Sequence, residues 1–158
     1  HRFAWRQKLR GKEGWFDFLV TDPVSGQSIA FDPLKILTHR QYRKAKCQPD
    51  MILELAHHLA DVATREGRPR AEVRVTALCA LNGREPQPLI DPTVDLASQP
   101  RRILAPYPWV LPLHVPLEAQ WDGRSRPSHP ASIATIEKHR ARFQAQLGSQ
   151  IEIRDEEP

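Results

Sequence analysis

Residues 71–81 read AEVRVTALCAL. Val73, Val75, Ala77 and Cys79 occupy alternate positions, the two-residue period of a strand that buries one face. Leu78 and Leu81 are read as apolar weight on the other face, so this strand is expected in the middle of a sheet. Asn82-Gly83 follows at once, a strong turn signal, and Arg84 emerges directly from it. The chain continues EPQPLIDPTVDLA to Ala97. Asp91-Pro92 predicts a second turn, with the Asp91 carboxylate accepting from nearby backbone donors. Asp95 has two readings, as an acceptor for loop N–H groups or as an ion-pair partner of Arg84. Taken as chemistry, Asp91 and Asp95 would be an acid/base pair or a cation loop, but no further oxygen-ligand spacing accompanies them. Asn82, Asp91, Pro92 and Asp95 are therefore read as structural turn residues that support the loop presenting Arg84.

On the N-terminal side, WFDFLV at 15–20 and SIAF at 28–31 flank TDPVSGQ, which predicts a β-hairpin. Thr38 stands three residues before Gln41, the spacing of a capping box, so a short helix is expected in 37–45. A longer helix starts at Pro49, with Asp50 in its first turn. Met51, Ile52, Leu55, Ala56, Leu59, Val62 and Ala63 recur at helical spacing, and Gly67 is the expected stop. His57 and His58 are adjacent, hence about 100° apart on that helix, and do not form a chelating pair. On the C-terminal side, RRILAPYPWVLPL at 101–113 is punctuated by prolines and reads as an edge strand or a surface crossing. The Ser-, Arg- and Pro-rich stretch 123–130 reads as a linker. Behind it Ile133, Ile136, Phe143 and Leu147 mark an amphipathic helix, followed by an acidic tail. The fold class that results is α+β: a β-sandwich-like sheet domain over 1–122 with two or three helices, then 123–158 as linker, amphipathic helix and tail.

Composition agrees with one folded domain: 158 residues, 40% hydrophobic and 27% charged, with 15 prolines that argue against a mainly helical chain. The formal charge of +4 is spread among acids, and no nucleic-acid reader motif accompanies it, so no nucleic-acid partner is expected. Basic residues do gather at Arg2, Arg6, Lys8, Arg10 and Lys12, and at Arg40, Arg43, Lys44 and Lys46. The two cysteines, Cys47 and Cys79, lack metal-ligand spacing; they allow one disulfide without requiring it. No apolar run reaches membrane-spanning length, no signal-peptide pattern opens the chain, and the start at His1 leads to the expectation of a piece of something larger.

Several separated stretches together carry a resemblance. RFAWRQKLR, FDPLKILTHRQ, PDMILELAHHL, LNGR, IDPTVDLA and WVLPL occur in this order between Arg2 and Leu113. The set, above all N-x-R followed by D-P-x-V-D, resembles the extramembrane (lumenal or periplasmic-type) domain of vitamin K-dependent γ-glutamyl carboxylase and its bacterial relatives. The resemblance implies a parent lyase with membrane helices that bears this domain on its non-cytoplasmic side, in a periplasmic or extracellular setting. It implies a parent reaction that converts peptide glutamate to γ-carboxyglutamate with vitamin K hydroquinone or another quinol, carbon dioxide and oxygen. Those groups would be handled by the membrane part, so this fragment is expected to hold no cofactor, no metal and no catalytic residue, and to be inactive alone. Its implied partners are a glutamyl peptide or protein substrate and the membrane helices of the parent chain.

Within the resemblance, Trp5 matches a tryptophan in a region associated with glutamate binding. With Arg6 and Arg10 it would frame a carboxylate, the guanidinium forks pairing with oxygens while the indole excludes water. The other reading of the same residues is an interfacial tryptophan with basic flanks. Arg84 and Trp109 complete the candidate substrate-binding set, although a tryptophan placed like Trp109 is more often a core or inter-sheet plug than a groove lining. Trp15 and Trp121 suggest burial only. The competing reading of the whole chain is a stand-alone interaction module that docks a partner through its C-terminal helix. A soluble hydrolase has little support, because there is no G-x-S-x-G and Cys79 falls inside the expected strand rather than exposed at its end.

Overall fold

The computed structural model describes residues 11–82, 84–102 and 106–114, with the isolated positions 134, 137, 138 and 141. Strands β1 (Lys12–Thr21) and β2 (Ser28–Phe31) form the predicted hairpin, and β1 begins three residues before the expected Trp15. Its turn is built on Asp22, whose carboxylate accepts from the Val24 N–H at 3.0 Å and from the Ser25 hydroxyl at 2.6 Å. These bonds hold the Asp22 carboxyl below the ordinary value of 3.8. Helix α1 (His39–Ala45) follows, opened by the predicted capping box of Thr38 and Gln41. Helix α2 (Pro49–Arg65) has Pro49 in its first turn. It stops where Gly67 turns to φ +83° and the Arg68 N–H returns to the Ala63 carbonyl at 2.9 Å.

β3 (Glu72–Leu81) pairs antiparallel with β1 over ten positions, from Lys12 opposite Leu81 to Thr21 opposite Glu72. With β4 (Gln87–Pro88) the sheet order is β2-β1-β3-β4. Paired residues share a face. Phe16 and Ala77, Phe18 and Val75, and Val20 and Val73 therefore form one apolar surface, and α2 covers it with Ile52, Leu53, Ala56, Leu59 and Ala63. Burying each of the larger side chains here contributes roughly 1.5–3 kcal/mol. The helix stripe differs from the expected one: Leu53 is buried and Met51 is exposed, so the stripe is centred on Ile52 and Ala56. Leu81 differs too. It has the parity of Cys79, so Leu78 and Ala80, not Leu81, carry the apolar weight opposite α2, beside buried Trp15 and Asp17. The α+β class holds, but the described residues make one sheet with helices on a face, where a β-sandwich needs a second sheet. The apolar residues of the expected C-terminal helix, and Trp121, lie outside the described residues; Ala134, Glu137, Lys138 and Ala141 are helical and exposed.

The free edge of β3 is closed by the chain that follows it. Leu89 donates to the Ala77 carbonyl at 2.9 Å, and Ile90 bridges to Val110, so the stretch around Trp109 is the edge that its prolines predicted. The Gln87 side chain extends this edge, donating to the Pro112 carbonyl at 3.0 Å and accepting from the His114 N–H at 3.1 Å. At the same end of the sheet Gly11 and Asn82 exchange two bonds of 2.8 Å, one through the Asn82 side chain. At the other end Asp95 takes the part of a strand carbonyl: its Oδ1 accepts from the Val73 N–H at 2.8 Å, and Leu96 donates back to the Val73 carbonyl at 2.8 Å. Val73 is fully buried, so removing this acceptor strands a donor that water does not reach. Asp95→Ala is expected to lower stability by about 1–3 kcal/mol, more than Asp91→Ala. Urea midpoints of the two variants check this, and an Asp95→Ala midpoint equal to that of the wild type would contradict the role.

Candidate functional site

The 16 residues from Pro33 to Gln48 contain Lys35, Arg40, Arg43, Lys44 and Lys46 and no aspartate or glutamate. The local chemistry folds this stretch so that much of its charge falls on one flank. The capping box fixes the start of α1, and Ala45 is buried in the core. Tyr42 stacks on Phe16 at 4.9 Å and accepts the Phe16 N–H with its hydroxyl at 3.3 Å. Arg40, Arg43 and Lys46 then succeed one another at three-residue intervals, about 4.5 Å apart along the axis. With His39, Tyr42 and Gly14 of β1 they line an open cleft of about 500 Å³. The ion pairs of the described residues all lie elsewhere, at Arg68–Glu66, Arg74–Glu72 and Arg101–Glu54.

Immediately after α1 the chain is fastened to the sheet. Cys47 and Cys79 form a disulfide with their Cα atoms 5.7 Å apart, which settles the pairing that the sequence left open. The Lys12 ammonium donates to the Cys47 carbonyl at 3.3 Å. Gly14 lies directly beneath: a Cβ there would stand 2.5 Å from the Leu78 carbonyl oxygen and 2.7 Å from the Cys47 sulfur. A side chain at position 14 would therefore run into the cross-link and the backbone beside it.

A comparison with protein-family models matches residues 1–115 to the vitamin K-dependent gamma-carboxylase, lumenal domain. The chain belongs to this family. The match covers the whole described sheet, both helices and the cleft, and a lumenal domain is one on the non-cytoplasmic side. Comparison with curated proteins and with solved structures gives no match. No described helix of this carboxylase lumenal domain is long and apolar enough to cross a membrane.

Of the substrate-binding residues expected from the sequence, Arg84 and Trp109 are among the described residues. Trp5, Arg6 and Arg10 lie outside the described residues. Arg84 folds back on its own turn, its Nη1 donating to the Leu81 carbonyl at 3.0 Å. Asp95 sits eight strand positions away, about 26 Å at 3.3 Å per residue. The loop therefore does not aim Arg84 outward on an Asp95 ion pair; of the two readings of Asp95, the acceptor of backbone N–H groups is the one the fold uses. Trp109 is buried at 3% exposure, tilted against Tyr107 with ring centroids 4.6 Å apart, and its carbonyl accepts the Asp91 N–H. Asp91 makes the predicted turn, accepting the Thr93 N–H at 2.9 Å and the Thr93 hydroxyl at 2.7 Å, which lower its carboxyl below 3.8. Asn82 holds its turn with φ +55°. The described residues contain no cluster of three groups that could hold a metal. Sequence reasoning noticed Arg40, Arg43 and Lys46 as a basic run but missed the cleft. The absence of any acid from Pro33 to Gln48 was the available signal.

Proposed function

We propose that this chain is the non-cytoplasmic domain of a membrane-attached, vitamin K-dependent γ-glutamyl carboxylase-like protein, and that it helps to position a glutamyl peptide over the parent's membrane part. The observation that carries this reading is the family match over residues 1–115. The disulfide supports it, since such bonds persist in oxidising, non-cytoplasmic compartments. The parent reaction uses a quinol, carbon dioxide and oxygen, and the described residues do not fit the quinol: the open cleft is lined by guanidinium and ammonium groups, while the large apolar side chains are packed into the core. No step of that chemistry is assigned to this chain.

The test uses the full-length parent in liposomes with a glutamyl peptide that carries a photoreactive group. Labelling within residues 1–115 is the expected result, and labelling confined to the membrane helices would refute the positioning role. In the same system Arg10→Lys keeps the charge and loses the guanidinium fork, so it should weaken peptide binding several-fold, while liposome association of the isolated N-terminal segment stays nearly unaltered.

A further inference from the structure

We propose that the cleft between α1 and β1 is a binding subsite for carboxylate-rich peptide segments, with Arg40, Arg43 and Lys46 as its cationic rail. This rests on the peptide-positioning reading above and deepens it: the carboxylates bound here are those that flank a reacting glutamate, not the reacting group itself.

Three observations point to such a ligand. First, the charge is uncompensated. No carboxylate among the described residues pairs with Arg40, Arg43, Lys44 or Lys46, and none occurs in the sequence between Asp32 and Asp50. Second, the charge is presented rigidly. The capping box, the Tyr42–Phe16 stack and the disulfide fix α1 at its start, middle and end, so that little backbone freedom is lost when an anion binds. Third, the cations border a single open cleft of about 500 Å³ together with His39, Tyr42 and Gly14, so a peptide laid between α1 and β1 meets all three. A run of carboxylates on one chain gains from such a row by pairing successively, which a layer of separate anionic headgroups does not. Two guanidinium groups favour carboxylates further, because each fork can donate two parallel N–H···O bonds.

The test titrates the 158-residue chain with hexaglutamate and with hexaglutamine, alongside two double variants that remove equal charge. Arg40→Gln/Arg43→Gln removes two of the three cations of the rail, whereas Lys35→Gln/Lys44→Gln removes two exposed cations outside the cleft; melting curves verify that both fold. Hexaglutamate should bind and hexaglutamine should not. The cleft variant should bind hexaglutamate about tenfold more weakly, whereas the outer variant changes by less than about twofold. Equal losses in the two variants would reduce the site to diffuse surface charge and overturn the proposal. So would tighter binding to vesicles of anionic phospholipid that hexaglutamate cannot displace. In the full-length parent the two readings separate: peptide labelling that persists in Arg40→Gln/Arg43→Gln removes the cleft alone. Hexaglutamate binding to this chain, with no peptide labelling of the domain in the parent, removes the positioning reading and leaves the cleft as an acidic-peptide site.

Discussion

Replacing Cys47 and Cys79 together by serine lowers the melting temperature by roughly 10–20 °C, as expected for a domain of this size losing about 3–4 kcal/mol. The disulfide closes a loop of sequence separation 32. On the chain-entropy account, a cross-link over that length removes about 3.7 kcal/mol of freedom from the unfolded chain. Its position adds a native-state effect, because Cys47 lies between α1 and α2 and the bond pins that junction to β3. Calorimetry of the wild type with and without a thiol reductant, beside the double serine variant, measures this. Reduced wild type and the variant should melt together. A shift under about 3 °C in both would mean that the bond constrains neither state.

Gly14→Ala is the second large effect. The added methyl would stand 2.5 Å from the Leu78 carbonyl oxygen, 2.7 Å from the Cys47 sulfur and 3.0 Å from the Lys46 carbonyl oxygen. Two of these neighbours are backbone and the third is held in the disulfide, so none is the free end of a flexible side chain. Overpacking of this kind costs about 1–3 kcal/mol, and the upper end or beyond is expected here. The clash also pushes Cys47 away from Cys79, so Gly14→Ala should raise the fraction of titratable free thiol. Combining it with Cys47→Ala removes the sulfur contact, and the disulfide with it, but leaves the two carbonyl contacts. That double variant should stay less stable than Cys47→Ala alone, by less than Gly14→Ala costs in the wild type. Full thiol pairing with an unchanged melting temperature would show that the strand yields without cost.

These two positions also mark where sequence reading ends. The hairpin, the Thr38 capping box, Pro49 at the head of α2 and Gly67 at its foot are legible because each signal acts within a few residues. The sheet face of Val73, Val75 and Ala77 is legible by its period. What a period does not report is the element that covers the face, which here is helix α2. Cys47 and Cys79 meet across 32 residues with no motif between them, and the need for glycine at position 14 arises only from that meeting. Asp95 was recognised as a loop acceptor, but its partner Val73 lies 22 residues earlier. The cleft has the same origin: α1 supplies its charge and β1 contributes Gly14, and their approach is a tertiary fact.

The bonds between Gly11 and Asn82, and between Gln87 and His114, have a geometric consequence. Residue 14 pairs with 79, which pairs with 87, so Gly11 and His114 lie at the same end of the sheet. The Asp22–Gln27 turn lies at the opposite end, about 33 Å away along β1. Gly14 is three residues from Gly11, so a ligand between α1 and β1 would sit at the end that carries Gly11 and His114, far from the hairpin tip.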